Sequence, residues 1–296
     1  MTTALVLQYL VAGLTYGTIY AVVGIGFNII YNTTGIINFA QGEFVMLGGM
    51  FAVSLHQVVP LPVAIVLAVA LTTLVGAAVE VTFIRWLRRP SVLRMIIVTI
   101  GVSILIREAA LLAWGEQVRA LPYFTGDEVT TLTLGGVHVS PQVLWSLAAC
   151  ALVVAGLHLF FARTRTGREM RACAANREAA ALCGLSTRNL VTLSFALAAG
   201  IGALAGCVVS PITYTRYDMG ASLALKGFTV AILGGLGDGT AAVVAGFLLG
   251  TLEAFSIAVL PAAYKDVVSI AVLLLLLFVR PSGLFGSREL ARLRAF

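Results

Sequence analysis

The chain has 296 residues, of which 60% are hydrophobic and 11% are charged, and its mean hydropathy is +1.02. One soluble core of this length cannot bury so much apolar surface, so the composition indicates an integral membrane protein. The short alternating segments of a strand-based barrel are absent from the sequence, which favours a helical bundle. The net charge of +6 comes from loop arginines and requires no nucleic-acid partner.

Long apolar runs predict the membrane spans, because a helix needs about 20 mostly apolar residues to cross the hydrocarbon. The first 42 residues carry no charged side chain, so the first run is expected to be a retained span and not a signal peptide. The long runs are 4–31, 61–84, 92–114, 141–162, 189–209, 240–260 and 264–279. With two shorter glycine-containing runs, 44–59 and 221–236, they predict an all-α bundle of eight or nine spans in one domain, residues 1–296.

Arginine placement orients this bundle. The turn at 85–94, the loop 163–188 and the tail 281–296 are basic, whereas the loop 115–140 carries more acidic than basic residues. By the positive-inside rule, the three basic segments face the cytoplasm.

The two short runs are constrained by this orientation. The run 221–236 must cross if both the loop before residue 189 and the tail are cytoplasmic. The run 44–59 either crosses, which places the N-terminus outside, or re-enters, which places it inside. Crossing is favoured.

A charged, alanine-rich stretch, "TGREMRACAANREAAALCGLSTRN", lies at residues 166–189. Thr166 and Glu169 have capping-box spacing, and Gly184 stands where a left-handed C-terminal residue belongs, which predicts one helix over 167–183. Four residues of this helix form a small, smooth face, namely Ala172, Ala175, Ala179 and Leu182. Such a face suits docking in a groove of another protein, although a solvated linker helix explains the same periodicity.

Two irregular segments, 32–43 and 234–240, interrupt the apolar pattern. Broken helices expose backbone polar groups, which a membrane tolerates where they line a cavity. The first segment contributes three polar residues to a predicted pathway, Asn38, Gln41 and Glu43, and the second contributes Gly234, Gly235 and Gly237. Close helix packing is the alternative for the glycines and is favoured for the G-x-x-x-G pair Gly246 and Gly250. Asn28 and Asn32 could equally satisfy neighbouring helices.

Ionisable residues inside spans are functional candidates, because an unpaired charge in hydrocarbon is costly. Glu80 lies near the cytoplasmic end of its span and can pair with Arg85. Arg107 and Glu253 lie at similar depth on their spans and are possible partners across the bundle. The alternative for Arg107 is the outer interface, with Glu108 beside it.

Catalytic and cofactor chemistry has little support in the sequence. No G-x-x-x-x-G-K-[ST] phosphate loop and no C-x-x-C metal spacing occurs, and His56, His138 and His158 fall on different spans or loops. We therefore expect no cofactor, no metal site and no enzymatic activity of the chain's own.

Four blocks carry a family resemblance: residues 13–49, 163–189, 225–255 and 278–286. Together with the spacing E-A-A-x-x-x-G from Glu178 to Gly184, they resemble the Liv-type permeases of branched-chain amino acid ABC importers. The resemblance implies a permease of the bacterial inner membrane that forms half of the translocation path. The ATPase-coupling residues it implies are Arg171, Arg177, Glu178, Ala179, Ala180, Leu182 and Gly184.

The same resemblance implies the partners. They are a second, related permease, two cytoplasmic ABC ATPases that hydrolyse the ATP, and an extracytoplasmic substrate-binding protein, all working at a lipid bilayer. Related permeases are associated with urea and short amides, so these stay alternative substrates. An ion-coupled secondary transporter would account only for the intramembrane charges and the broken segments.

Overall fold

A computed structural model describes residues 3–87, 91–127, 129–134, 137–261, 264–280 and 283–285. The described residues are mostly helical. The helices are α1 Thr3–Thr34, α2 Gln41–His56, α3 Leu61–Val79, α4 Val92–Trp114, α5 Pro141–Arg163, α6 Arg165–Ala175, α7 Arg177–Leu182, α8 Thr187–Thr213, α9 Met219–Gly234, α10 Gly239–Ser256 and α11 Lys265–Val279. A two-stranded antiparallel ribbon, β1 Leu132–Leu134 and β2 Val137–Val139, was not predicted and lies in the loop after α4.

Among the described residues, six helices are long and apolar enough to cross a membrane, and they match six of the seven long runs in the sequence. They cover Leu5–Thr34, Leu61–Ile84, Val92–Trp114, Pro141–Arg163, Thr187–Thr213 and Gly239–Ser256. The second of these includes a π-helical turn, Glu80–Ile84, that continues α3. The other predicted runs form α2, α9 and α11, which have 16, 16 and 15 residues. The chain is therefore a multi-pass helical membrane protein.

Helix α1 is at the centre of the bundle and packs along α10, α8 and α9. The pairing with α10 depends on glycine, because a Cβ at Gly246 would lie 2.7 Å from the backbone nitrogen of Ala21, and a Cβ at Gly250 would overlap the backbone of Gly13 and Gly17. Small residues let two backbones approach where no water drives association. The prediction that Gly246 and Gly250 serve close packing is confirmed.

Both irregular segments are shorter than predicted. Helix α1 continues to Thr34 and α2 already begins at Gln41, so only 35–40 is non-helical, with Gly35 in the left-handed region at φ 71°. The second break is confined to the four residues between α9 and α10. Gln41 and Glu43 therefore lie in a helical first turn and not in an open loop.

The prediction of one helix over 167–183 is wrong. The segment forms two helices, because Asn176 adopts an extended conformation, φ −156° and ψ 109°, and its side chain accepts a hydrogen bond from the Ala179 N–H. An asparagine side chain competes in this way for the backbone hydrogen bonds of a helix, which favours the start of a new helix. The cap of α6 is Thr164, which accepts from the Gly167 N–H, so the predicted Thr166 capping box is also wrong.

Candidate functional site

Three predicted pathway residues lie buried at the junction of α1 and α2. Asn38 and Glu43 are 1% exposed and Gln41 is 0% exposed. Within the part of the chain that the structure describes, each has one buried polar atom without a hydrogen-bond partner: Asn38 Nδ2, Gln41 Oε1 and Glu43 Oε2. Buried polar groups in proteins are nearly always paired, since leaving one unpaired costs about 1–3 kcal/mol. Three open hydrogen-bonding positions within six residues make this junction a candidate polar site.

The structure separates Gln41 from Glu43. The Gln41 Nε2 atom donates to the Ala198 carbonyl on α8 at 3.0 Å, whereas Glu43 Oε1 accepts from the Ser103 hydroxyl on α4 at 2.9 Å. Residues two apart on a helix point in nearly opposite directions, because each residue turns about 100°. The predicted pathway residues thus face two different neighbours, α8 on one side and α4 on the other.

Glycines allow α2 and α9 to touch beside Glu43. A Cβ at Gly42 would overlap the Gly220 carbonyl oxygen, and a Cβ at Gly220 would lie 2.5 Å from Glu43 Oε2. Any larger residue at either position requires the helices to move apart. The unpaired carboxylate oxygen therefore lies directly against the first turn of α9.

The second predicted pathway segment is held by α1. Gly237 donates its N–H to Asn28 Oδ1 at 3.1 Å, and its carbonyl accepts from Asn32 Nδ2 at 2.8 Å. Asn28 Nδ2 also donates to the Asp238 carbonyl at 2.9 Å. Asn28 and Asn32 therefore satisfy loop backbone, and their side chains fix the turn that connects α9 and α10. Gly237 takes φ 106° in this turn, which L side chains rarely adopt.

Asp238 caps α10 in the same turn. Burial disfavours its charged form, but hydrogen bonds from the Thr240 hydroxyl and from the N–H groups of Ala241 and Thr240 outweigh this and lower the pKa of Asp238. A carboxylate at the positive end of a helix is stabilised in the same sense.

A large groove runs between α1, α10, α5 and α6, with a volume of about 1290 Å³. Its walls are mostly apolar, and the lining also includes Asn28, Asn32, Gly237 and Arg171. Asn38, Gln41 and Glu43 do not line it. The structure therefore brings one predicted pathway glycine to an open groove and leaves the three polar residues in the core. His158 also lines the groove, and no metal-binding cluster occurs within the described residues.

The predicted coupling residues divide between a surface and the core. Arg171, Arg177, Glu178, Ala179 and Leu182 are exposed, and Leu182 is 90% exposed. Ala180 is 5% exposed and packs in the same apolar cluster as Met170 and Cys173, so it holds α7 against the bundle and does not face outward.

Gly184 ends this segment as predicted. Its φ is 83°, in the left-handed region that the position after a helix commonly takes. Ala172, Ala175 and Ala179 are all exposed, the first two on α6 and the third on α7, which begins after the extended residue Asn176.

Of the predicted intramembrane charges, Glu80 is placed as expected. It accepts from Arg85 at 3.3 Å and from the Thr192 hydroxyl at 2.6 Å. Arg107 lies 3.8 Å from Glu108, its predicted alternative partner. The proposed pairing of Arg107 with Glu253 is wrong.

Glu253 instead meets cations from two other helices. Lys226 Nζ lies 3.3 Å and Lys265 Nζ 3.6 Å from its carboxylate, which is fully buried. The Tyr20 hydroxyl donates to it at 2.6 Å, and the Ser269 hydroxyl also contacts it. Neither lysine was among the predicted intramembrane charges, although a lysine inside a predicted span is itself a sign of a buried partner.

Known proteins resemble this chain along its whole length. The family described as "Branched-chain amino acid transport system / permease component" matches residues 9–277. BraD of Pseudomonas aeruginosa, a high-affinity branched-chain amino acid transport system permease protein, is 34% identical over 97% of both chains. The LivH protein of Escherichia coli K12, which carries the same description, is 32% identical over 97% of both chains.

A solved structure supports the fold independently. PsaBC from Streptococcus pneumoniae, solved in complex with Fab, aligns with a TM-score of 0.51 at 12% identity and covers 97% of this chain and 94% of its own. At that identity the likeness concerns the fold alone. The family match and the two relatives, each similar over nearly the full length, lead to one conclusion: the chain belongs to the permease-component family of branched-chain amino acid transport systems.

Proposed function

We propose that the chain is the membrane subunit of an ATP-driven importer of branched-chain amino acids in the bacterial inner membrane. Family membership supports the assignment as a transport permease, and the descriptions of the relatives support branched-chain amino acids as the substrate. One observation of this structure carries the coupling role. Helices α6 and α7 present exposed Ala179 and Leu182 outward, while Met170, Cys173 and Ala180 anchor them to the bundle.

This arrangement fits a helix pair that transmits force. A small, smooth exposed face suits a groove of another protein, and a buried opposite face passes displacement into the spans. The coupling residues proposed for the ATPase contact are Arg171, Arg177, Glu178, Ala179, Leu182 and Gly184, with Ala180 as the anchor beneath them. The ATP is hydrolysed by two partner ATPases.

The topology proposed for the single domain, residues 1–296, has nine membrane helices. Helix α1 runs opposite to α10, since Gly13 faces Thr251 and Asn28 bonds to Asp238. The Leu284 N–H donates to the Leu233 carbonyl, which places the start of the tail beside the end of α9. With a cytoplasmic tail, the N-terminus is then extracytoplasmic, and α2, α9 and α11 complete the count.

Helix α2 begins part of the way across. Gln41 contacts Ala198, which is 11 residues, or about 17 Å, along α8 from Thr187. The bend at 35–40 therefore lies inside the membrane region, where non-helical backbone is tolerated only if it is buried in protein or lines a cavity.

The proposed pathway combines two regions. Asn38, Gln41 and Glu43 supply polar positions within the subunit, and Gly234, Gly235 and Gly237 shape the turn at the end of the groove. A related second permease closes that groove, and an extracytoplasmic binding protein delivers the substrate.

The test is reconstitution. The chain is co-expressed with a second permease and two ATPases, purified, placed in liposomes and supplied with a leucine-loaded binding protein. ATP on the ATPase side should drive uptake of radiolabelled leucine. Uptake driven by an ion gradient without ATP, or purification of the chain free of any ATPase, contradicts the importer. Uptake of urea or acetamide with no uptake of leucine contradicts the substrate class only.

A further inference from the structure

The helix α4 presents a polar stripe to the start of α2. Thr99, Ser103 and Arg107 recur every fourth residue, so they share one face. The Thr99 hydroxyl accepts from the Phe39 N–H at 3.4 Å, and the Ser103 hydroxyl donates to Glu43 at 2.9 Å. The face that carries Arg107 is therefore turned toward Glu43.

Glu43, on α2 opposite this stripe, has a carboxylate with only one of its two oxygens hydrogen-bonded. Oε1 accepts from the Ser103 hydroxyl, whereas Oε2 is buried, has no hydrogen-bond partner among the described residues and lies against Gly220. The other buried acids in the described bundle differ, since Glu80 is paired with Arg85 and Glu253 with two lysines. A buried carboxylate without a cation is disfavoured relative to its protonated form, so a positively charged donor at Oε2 would stabilise the ionised state of Glu43.

Arg107 is the charged residue of the stripe, and its ion pair with Glu108 is weak. It lies one turn, about 6 Å, beyond Ser103, and its closest acid is Glu108 at 3.8 Å, a residue with 55% of its side chain exposed. Exposed pairs at such distances contribute little. The charges that act on Glu43 over a longer range are those of Arg107 and Asp218, and Asp218 is already held by two hydrogen bonds from Arg216.

Glu43 supplies a carboxylate, and Arg107, one helical turn beyond the Ser103 that donates to Glu43, supplies a guanidinium. The two groups match the ammonium and the carboxylate of a free α-amino acid. We propose that Glu43 Oε2 binds the ammonium group and Arg107 the carboxylate group of the transported amino acid between α2, α4 and the start of α9. Arginine suits this role because its planar guanidinium holds a carboxylate through two parallel hydrogen bonds. The proposal rests on the proposed function and specifies how the path recognises its substrate.

This site also separates the substrate classes that the sequence leaves open. Urea and short amides carry neither charge, so they would leave Glu43 unpaired and Arg107 unused. A zwitterion neutralises both groups at once. The side chain of the amino acid is not part of this recognition, which leaves discrimination among leucine, isoleucine and valine to other contacts.

The experiment divides leucine into its two halves. Thermal unfolding of the complete permease–ATPase complex in nanodiscs is followed with leucine, with isoamylamine, which lacks the carboxylate, and with 4-methylpentanoate, which lacks the ammonium. Ligands that bind the native state raise the melting temperature. We expect Glu43→Gln to abolish the response to the amine and Arg107→Gln to abolish the response to the acid. Each variant should raise the leucine concentration for half-maximal response at least tenfold, whereas Glu116→Gln, an exposed control, should change none of the three.

The contrary outcomes are distinct. Unchanged responses to the amine in Glu43→Gln, or to the acid in Arg107→Gln, overturn the site. The absence of any leucine response in the wild-type complex overturns it as well. If Glu43→Gln fails to assemble, the response of Arg107→Gln to the acid still tests the site, because Arg107 is partly exposed and its replacement should not prevent folding. If the wild-type complex imports leucine with ATP but both variants respond to their ligands as the wild type does, the proposed binding site is wrong. The proposed importer function is then still supported.

Discussion

The Tyr20 hydroxyl on α1 donates a hydrogen bond of 2.6 Å to the Glu253 carboxylate on α10. Lys226 of α9 joins both, because its Nζ lies 3.1 Å from the Tyr20 hydroxyl and 3.3 Å from Glu253. One buried carboxylate therefore ties the first helix of the bundle to two helices more than 200 residues later. This cluster supports the packing and is separate from Glu43.

Removing the hydroxyl at Tyr20 should destabilise the bundle. Tyr20→Phe keeps the ring but deletes a hydrogen bond to a charged group, which is worth about 1.5–3 kcal/mol. The melting temperature of the purified protein in detergent should fall. Tyr16→Phe is the matched control, because the Tyr16 ring lies under the Lys265 ammonium at 3.3 Å and phenylalanine preserves that contact. Equal melting of the two variants would contradict a stabilising role for the Tyr20–Glu253 bond.

A methyl group at Gly42 should force α2 away from α9. Gly42→Ala places a Cβ on the Gly220 carbonyl oxygen, and overpacking of this kind costs about 1–3 kcal/mol. Gly156→Ala is the control, since nothing lies within 4 Å of a Cβ there and alanine favours the helix by about 0.5–1 kcal/mol. Thermal melting should drop for the first variant and stay level or rise for the second. A drop of the same size in both would show that the α2–α9 contact is not tight.

Arginine at Ala179 should weaken attachment of the ATPase. The side chain is exposed, so the permease should fold, but a docked partner would meet extra volume and an unpaired charge, enough for a tenfold or larger loss of affinity. Retention of ATPase on the purified complex and leucine-stimulated ATP hydrolysis measure the effect. Ala120→Arg, in an exposed loop far from α7 in sequence, should leave both unchanged. Full retention and stimulation in Ala179→Arg would make α6 and α7 a linker.

Glu178→Ala tests the same contact without added bulk. Glu178 is exposed in the first turn of α7, so its removal should cost the permease little stability. If the carboxylate touches the ATPase, stimulated hydrolysis should fall more than ATPase retention does. If less ATPase is retained on the complex but each bound ATPase is stimulated normally, Glu178 contributes to assembly of the complex and not to coupling.

Thiol labelling can test the orientation. Cys183 is exposed and is first replaced by serine, whereas Cys150, Cys173 and Cys207 are buried. In intact cells an impermeant maleimide should then label Glu116→Cys and leave Leu182→Cys unlabelled until the membrane is opened. The reverse pattern would invert the topology.

The Asp238 cap should make stability depend on acid pH. The folded pKa of Asp238 is lowered, so its contribution is complete above the unfolded pKa, about 4, and disappears as pH falls through the folded value. Asp238→Ala should therefore lose about 0.5–2 kcal/mol near neutral pH and converge with the wild type in acid. Melting curves from neutral to acid pH measure this. A gap that persists unchanged at the acid end would assign the loss to packing and not to the charged cap.

The bounds of the spans could be predicted because hydrocarbon imposes a length and a composition on each helix that are visible locally. The runs 92–114 and 141–162 coincide with α4 and α5 to within one residue. Gly184 was predictable for a similar reason, since one residue's conformation ends the helix. The blocks that resemble the permease family were also local, and the family match agrees with them.

Partnerships across the bundle required the tertiary structure. Glu253 was a candidate by its depth, but depth alone paired it with Arg107, whereas the fold brings Lys226 and Lys265 to it. Gln41 and Glu43 were grouped as one polar segment, yet the two face α8 and α4. Hydropathy determines that a residue lies in a span. Which helix its side chain meets depends on the rotation and neighbours of that helix, and these are decided by contacts between residues far apart in the chain.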